Sequence, residues 1–459
     1  MSSATHDPTT YPTTLGELQA ALPGAVSLPG DEDWDVARLA WNRAVDQQPA
    51  AVVVPRDVEE VMTAVRFAAS AGLQVTVQAA GHGASNPLTG CILLRMSAFT
   101  TIGVDPTTRT ATVGAGITWG ELLPALDGTG LIALAGSNPN VSVAGYLLTG
   151  GHSWFSRRDG IAAHSIRSVD LVDASGEFRH IEAEHQPELL WALRGAGIDL
   201  GVVVSIDIDL PVAPVLTGGK LVFDGALARQ VLTTVAEIGA SSGPELSLFA
   251  TVVRMPDIEV VPPPLRGRLV TTVDLVLTGP ADEADALIAP LRALGTPMLD
   301  TVAPFPIGRL AAISAEPVEP SASRGWAGFA EKLTPGLIDA MITIASPTNG
   351  SAASFAQVRI LGGAVAHLDG SDDGIAGTVD GGVLVYALWE GGDERGLVDA
   401  SPLSAQAEER AFASFLMPGD TLERAYPKAS LDRLAAVKET VDPTGLLVGN
   451  RSPRSAYRG

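Results

Sequence analysis

The 459-residue chain has a single cysteine, Cys91. One thiol cannot close an intrachain disulfide, so the fold must rest on its core alone, and nothing in cysteine usage argues for secretion. Cationic side chains are also scarce. Lys and Arg total 30 against 52 Asp and Glu, a formal charge of −22. That balance weighs against nucleic acid or an anionic membrane surface as a partner and favours solubility. No apolar run reaches the ~18 uncharged residues that read as a membrane span. The opening stretch MSSATHDPTTYPTT has no basic region, apolar core or cleavage site of a signal peptide. The expectation is a cytoplasmic, soluble protein. Internal repeats and low-complexity tracts are missing too. With 46% hydrophobic and only 18% charged residues, the chain can bury a large core, and its length fits two or three lobes.

The most informative stretch is Val75 to Cys91, VTVQAAGHGASNPLTGC. Val75, Val77 and Ala79 alternate as in a half-buried strand that enters a loop of small residues around one histidine, His82. Gly81 and Gly83 flank it, and Ala80 and Ala84 follow in the same small-residue pattern. Small side chains let backbone approach a ligand closely and offer bare N–H groups, which suits a pyrophosphate. Spacing alone leaves a structural histidine open as well.

Along the chain, residues 1–14 form a loose polar tail, TLGELQAAL a short helix, and AAVVVP the first strand. Asp57 and Glu60 have the spacing of a capping box for a helix whose apolar face holds Val58, Val61, Val65 and Ala68, with Gly72 as C-cap. Asp105-Pro106-Thr107-Thr108 turns a hairpin, and Thr118 with Glu121 forms a second capping box. Residues 130–151 are glycine-rich and uncharged, either a buried core segment or the wall of a cofactor cleft. Strands SVDLVDASGEF and VVVSIDIDL flank a helix ending in ELLWALRGAG. Beyond Pro211 the pattern changes to long period-two strands, LRGRLVTTVDLVL, ASFAQVRIL and GVLVYALW, alternating with helices such as ADEADALIAPLRAL. This predicts a separate sheet with helices on one face. A helix in ASLDRLAAVKETV, stopped by Asp442-Pro443, closes the chain.

Six of these stretches carry a family resemblance in the family's order: AAVVVPRDVEEVMTAVRFA, VQAAGH, VGAGITWGEL, SNPNVSVAGYLLTGGHSWFSRRDGIAAHSI, WALRGAGIDLGVV and VDPTGLLVGN. The sequence resembles the FAD-linked oxidases of the vanillyl-alcohol-oxidase type fold, within them the berberine-bridge-enzyme-like group. The resemblance implies an α+β fold: a two-part FAD-binding domain of the PCMH type with an inserted substrate domain, an antiparallel sheet covered by helices. Residues 15–212 and 416–459 would form the FAD domain and 213–415 the substrate domain. It implies FAD cradled by Gln78, Ala79, Ala80, Gly81, His82, Gly83 and Ala84. Asn138, Val141, Ala144, Gly145, Gly150, Gly151, Asp199, Gly201, Val202, Val203 and Asn450 would complete the cofactor site. His82 would carry the flavin covalently, a neutral imidazole nitrogen attacking the 8α-methyl carbon of its quinone-methide tautomer. Relatives with a second link use a cysteine where this chain has Asn138, so attachment is expected through His82 only. Three further departures are Gln78 for the usual arginine, Asp199 for asparagine and His164 for an acid; Ser430 also replaces an asparagine.

The resemblance also implies that the substrate meets the inserted sheet, where a tyrosine or glutamate takes the proton of an alcohol or amine. Tyr386 is the first candidate base, with Tyr426 and Glu390 behind it. Tyr386 shares a strand face with Leu384 and Leu388, opposite Val385, Ala387 and Trp389; Gln357 and Arg359 share a face of ASFAQVRIL, ordinarily the solvent side. A tyrosine titrating near 10 needs a depressed pKa or a proton relay to act as base. The expected reaction passes a hydride from a small-molecule C–H, beside a hydroxyl or amine, to flavin N5, with dioxygen reoxidising the flavin to give hydrogen peroxide. In relatives a small residue at the position of Val141 goes with oxidase behaviour. A dehydrogenase with another acceptor and a non-catalytic flavin- or ligand-binding protein remain as alternatives. GAGITWG at 114–120 departs from the dinucleotide fingerprint G-x-G-x-x-G. His180 and His185 read as a solvated face rather than a metal pair. His152 either lines the cleft or fills a turn, and Arg157-Arg158 either anchors phosphate or caps a loop.

Overall fold

The computed structural model describes residues 12–85, 87–346, 353–366, 374–376, 382–390 and 399–451. Most of the expected tail, 1–11, lies outside the described residues. Three sheets, each from one run of sequence, organise the rest.

The first contains β1 (Val26–Ser27), β2 (Ala51–Val53), β3 (Gln74–Val77) and β4 (Cys91–Leu94) in the order β1-β2-β4-β3. β4 runs parallel to both β2 and β3, so the strand–helix–strand unit read from the sequence is split by a later strand. The crossover helix Val58–Ala71 starts where the Asp57 side chain accepts the Glu60 amide at 3.0 Å. Its capping box is half-made, because the Glu60 carboxylate turns to the Arg56 amide instead. Gly72 ends it at φ +67°, a conformation that glycine adopts without a Cβ penalty.

The second sheet holds β5 (Ile102–Asp105), β6 (Thr110–Gly114), β7 (Ile166–Val172), β8 (Phe178–Glu182) and β9 (Val202–Asp209), all antiparallel, in the order β5-β6-β9-β7-β8. The expected β5–β6 turn forms, with Asp105 accepting the Thr107 amide at 2.8 Å. Residues 130–151 pack between the sheets, largely buried, with one short helix at Val143–Leu147.

The third sheet takes β10 (Thr217–Asp224), β11 (Leu246–Arg254), β12 (Leu269–Leu277), β13 (Leu299–Asp300), β14 (Ala303–Pro304), β15 (Ser323–Ala330), β16 (Ala353–Ile360) and β17 (Val383–Glu390). It is antiparallel, with β13-β10-β12-β11-β16-β17-β15 in order and β14 also on β10. Period two sorts its residues. Leu221, Phe223, Leu248, Val273, Leu275, Val358, Val385 and Trp389 pack under the helices Ala228–Ser241, Ala281–Arg292 and Pro335–Ala345. The other face carries Phe249, Leu384 and Tyr386 and joins the core of the first two sheets. Each large apolar side chain so buried contributes ~1.5–3 kcal/mol, which makes the choice of face cooperative along every strand.

The C-terminus returns to the first sheet. The helix Lys428–Val441 ends at Asp442, and the extended chain beyond it lies beside β3, with Val75 donating to Leu446 and Val448 donating to Val75, both at 2.8 Å. Among the described residues no helix is long and apolar enough to cross a membrane.

Candidate functional site

The histidine loop leaves β3 at Gln78. Arg95 fastens its base, donating to the carbonyls of Gln78 at 3.2 Å and Leu39 at 2.6 Å. The Gln78 side chain is buried and exchanges two 2.8 Å hydrogen bonds with buried Gln47. It therefore props the loop from behind. Gly81 turns the chain at φ +83°, and a Cβ there would lie 2.8 Å from the Gln78 amide nitrogen; only glycine fits this turn. The carbonyls of Ala80 and Gly81 accept from Trp41 and Asn42 at 3.0 and 3.2 Å, and Ala84 folds back on Gly81 at 3.3 Å. The chain past Ala84 is clasped by the C-terminal segment, with the Ser85 hydroxyl donating to the Asn450 carbonyl at 3.1 Å. Asn450 thus positions the loop from outside, and Gly83 stands exposed at its tip.

The His82 imidazole stacks on the indole of Trp41, centroids 4.0 Å apart and planes 16° from parallel. Its Nε2 is buried with no hydrogen-bond partner among the described residues. Burial lowers its pKa from the ordinary 6.5 to about 4, opposed weakly by a backbone hydrogen bond at Asn140. The ring is therefore a neutral base and nucleophile through the physiological range.

A second group converges from the third sheet. Across β10, β12, β11, β16 and β17 two rows face inward: Lys220, Asp274, Phe249, Arg359, Leu384, and next to it Val222, Thr272, Thr251, Gln357, Tyr386. The Gln357–Arg359 face, ordinarily the solvent side, is buried. A polar face is tolerable there because its groups satisfy one another. The Tyr386 hydroxyl donates to Gln357 Oε1 at 2.8 Å, the Arg359 guanidinium donates to Gln357 Oε1 at 2.9 Å and to the Tyr386 oxygen at 3.2 Å, and Gln357 donates to Thr251 at 2.8 Å. Burial pushes the Tyr386 pKa up, and the nearby Arg359 charge pulls against it. Arg359 also reaches Ser137 at 3.5 Å, which ties this sheet to the 130–151 segment. His152 lies here too, stacked on Phe412 at 5.1 Å, buried, with Nδ1 unpartnered among the described residues and its pKa held well down by burial. The Tyr146 hydroxyl is likewise buried without a partner among them.

Other expected residues make structural contacts. Tyr426 donates to the Gly195 carbonyl at 2.6 Å and pins the kinked end of the Pro187–Ala196 helix; no hydrogen bond among the described residues joins it to Tyr386. The Glu390 side chain lies outside the described residues. Asn138 bonds the Pro317 carbonyl at 3.1 Å and the Asn140 amide at 2.9 Å. Val141 is half-buried, Ala144 buried, and Gly145, exposed, donates its amide to Ser142 at 3.2 Å. Gly150 and Gly151 both have positive φ, and a Cβ on Gly151 would sit 2.3 Å from the Tyr146 ring. Asp199 is buried beside Lys438, whose ammonium, 3.7 Å from its carboxylate, also bonds Asp442 at 2.8 Å and the Leu447 carbonyl at 2.7 Å. Gly201 packs against Leu171, while Val202 and Val203 are core residues of β9. Arg157 anchors to the Ser242 and Leu246 carbonyls, His180 pairs with Asp170 at 2.7 Å, and no metal-binding cluster occurs among the described residues.

Trp41, Asn140, Ser137, Phe249, Phe412 and Phe415 enter the site without a local sequence signal, because only folding brings them there. The donor set fits FAD. A loop of small residues presents backbone N–H groups, the adjacent imidazole is neutral with an open Nε2, and open polar atoms on Tyr146 and His152 lie near the Arg359 charge.

Comparison with known proteins agrees with this fit. Residues 49–182 match the profile of an FAD binding domain. That stretch is similar to FAD binding domains, and the fold of the whole chain is that of the berberine-bridge-enzyme-like proteins. (R)-6-hydroxynicotine oxidase of Paenarthrobacter nicotinovorans is 28% identical over 305 residues, 64% of this chain and 64% of that one. The match therefore spans just under two thirds of that relative. Xylooligosaccharide oxidase of Thermothelomyces thermophilus is 33% identical over 40% of this chain and 38% of its own length. In three dimensions the chain is similar to BBE-like 1 of Physcomitrella patens, with TM-score 0.83, 21% identity, and 96% and 99% of the two chains covered. The last likeness establishes the fold.

Proposed function

We propose that the protein is an FAD-dependent oxidase that takes a hydride from a C–H beside a hydroxyl or amine of a small molecule, with Tyr386, in its ionised tyrosinate form, receiving the hydroxyl or amine proton. FAD, when bound, supplies the two-electron acceptor, and its reoxidation by dioxygen yields hydrogen peroxide. His82 holds the cofactor covalently and is its only link. The observation that carries this reading is the neutral, half-buried His82 imidazole, whose buried Nε2 has no partner among the described residues, in a loop of small residues. Covalent attachment needs this protonation state, since only the free lone pair attacks carbon.

On the inner face of the sheet, Gln357 orients the Tyr386 hydroxyl by accepting a hydrogen bond from it, and the Arg359 charge favours the tyrosinate, opposing part of the effect of burial. The rings of Phe249, Phe355, Phe412 and Phe415 around them exclude water and leave little dielectric between charge and reacting atoms. The FAD domain comprises about 15–212 and 416–459, the substrate domain about 213–415; the Ser85–Asn450 clasp and the β3–Leu446 pairing support the return of the C-terminus. The test is a spectrum of the purified protein before and after acid precipitation, tryptic mapping of the flavin peptide, and peroxide detection on a panel of alcohols and amines. A yellow precipitate, a flavin peptide containing His82 and peroxide release are expected. Flavin fully released by acid overturns the covalent link; substrate-dependent flavin reduction without peroxide overturns the oxidase.

A further inference from the structure

We propose that the substrate meeting the inner face of the third sheet carries an anionic group, a carboxylate or similar planar oxyanion on an aromatic frame, and that Arg359 receives it. The proposal rests on the reading of the inner sheet face as the substrate side.

That face holds two cations in one row, and they differ in their partners. The Lys220 ammonium has the Asp274 carboxylate at 2.8 Å. Arg359, only 4% exposed, has no carboxylate within 4 Å among the described residues. Its hydrogen bonds reach neutral oxygens on Gln357, Tyr386 and Ser137. Asp274 and Glu316 are the acidic groups that influence Tyr386 from a distance, and Asp274 is engaged by Lys220 and by Ser314 at 3.1 Å. Buried charges are normally paired, because desolvation of an isolated ion is costly. Here the compensation comes from aromatic faces: the guanidinium carbon lies 4.2 Å from the Phe249 centroid, 4.9 Å from Phe415 and 5.4 Å from Tyr386. Cation–π contact offsets part of that cost and leaves the charge available to an anion.

A second open group stands near the first. His152 is buried, its Nδ1 has no partner among the described residues, and its ring lies 5.9 Å from Phe249, the ring that Arg359 covers. A guanidinium matches a carboxylate through two parallel N–H···O bonds, a geometry that an ammonium lacks. The surrounding rings select a flat apolar frame over a heavily hydroxylated one. The chain's charge of −22 repels anions at long range, so recognition of one must come from this local cation.

The experiment titrates benzoate, and separately its neutral counterpart benzyl alcohol, into the purified protein and into Arg359→Gln and Arg359→Lys. Binding is read by flavin difference absorbance and by calorimetry. Benzoate should bind the wild type saturably and more tightly than benzyl alcohol. Arg359→Gln should weaken benzoate by about tenfold or more, the worth of a charged hydrogen bond, and leave benzyl alcohol within about twofold. Arg359→Lys should fall between and show, by normal flavin content, that the fold survives a change at this site. Equal benzoate binding in wild type and Arg359→Gln overturns the proposal. So does a lowered flavin potential in Arg359→Gln with benzoate binding intact, which assigns the charge to the reduced cofactor. Arg359-dependent benzoate binding by calorimetry in a protein that takes up no flavin upholds the anion site and overturns the FAD reading instead.

Discussion

The state of His82 gives the sharpest quantitative prediction. Burial is the larger cause of its lowered pKa, and the Trp41 indole stacked at 4.0 Å covers one face of the ring. Trp41→Ala should hydrate the imidazole and return its pKa towards 6.5. At pH 5 a group with pKa about 4 is roughly nine-tenths neutral, whereas one at 6.5 is only about 3% neutral. Covalent flavin incorporation at pH 5 should therefore be about thirtyfold slower in Trp41→Ala, while the two proteins converge above pH 8. Apoprotein is mixed with FAD at a series of pH values, quenched in acid, and the protein-bound flavin fluorescence is read; total uptake before the quench controls for simple loss of binding. A wild-type midpoint near 6.5, or identical pH profiles for the two proteins, refutes the reasoning. The same shift has a stability consequence of fixed sign. A histidine whose folded pKa is depressed takes up its proton more readily when unfolded, so stability falls as pH drops from 6.5 towards 4. The loss is about 3 kcal/mol for a shift of this size, and in Trp41→Ala that acid-dependent part should largely vanish from urea titrations.

Four further outcomes are expected. Tyr386→Phe should keep its flavin but reduce it about 10²- to 10⁴-fold more slowly under anaerobic stopped-flow, the usual worth of a positioned acid–base group; an unchanged rate removes Tyr386 from proton transfer. Lys438→Met leaves Asp199 and Asp442 buried without their cation, which should cost about 3–5 kcal/mol in a denaturant titration, and deletion beyond residue 420 should abolish flavin retention altogether. Val141→Leu should slow reoxidation of the photoreduced protein in aerated buffer while leaving anaerobic reduction nearly unchanged, and slowing of both steps equally would refute the assignment of Val141 to the oxygen path.

The local determinants of this protein are legible in its sequence. Period two in VLVYALW puts Tyr386 opposite Trp389, and the structure sorts the two residues onto the two faces of β17. Asp57 and Gly72 bound their helix because capping depends on neighbouring backbone groups. The small residues around His82 announce a close-approach loop for the same reason: steric freedom is a property of the residues themselves. Period two does not say which face is covered, however, and that decision belongs to whatever packs against the sheet. The Gln357–Arg359 face, solvent-like in sequence, is buried by groups distant in the chain, among them Phe415 and Ser137, which touches a residue 222 positions away. Asp199 and Asn450 read as cofactor contacts in sequence, and the structure adds a role that no local stretch shows: their carbonyls tie the C-terminal segment to the rest. Trp41 acquires its role only by stacking on His82. Whether His82 is neutral is likewise set by desolvation, a sum over every group that displaces water from the ring, and no local stretch of sequence contains that sum.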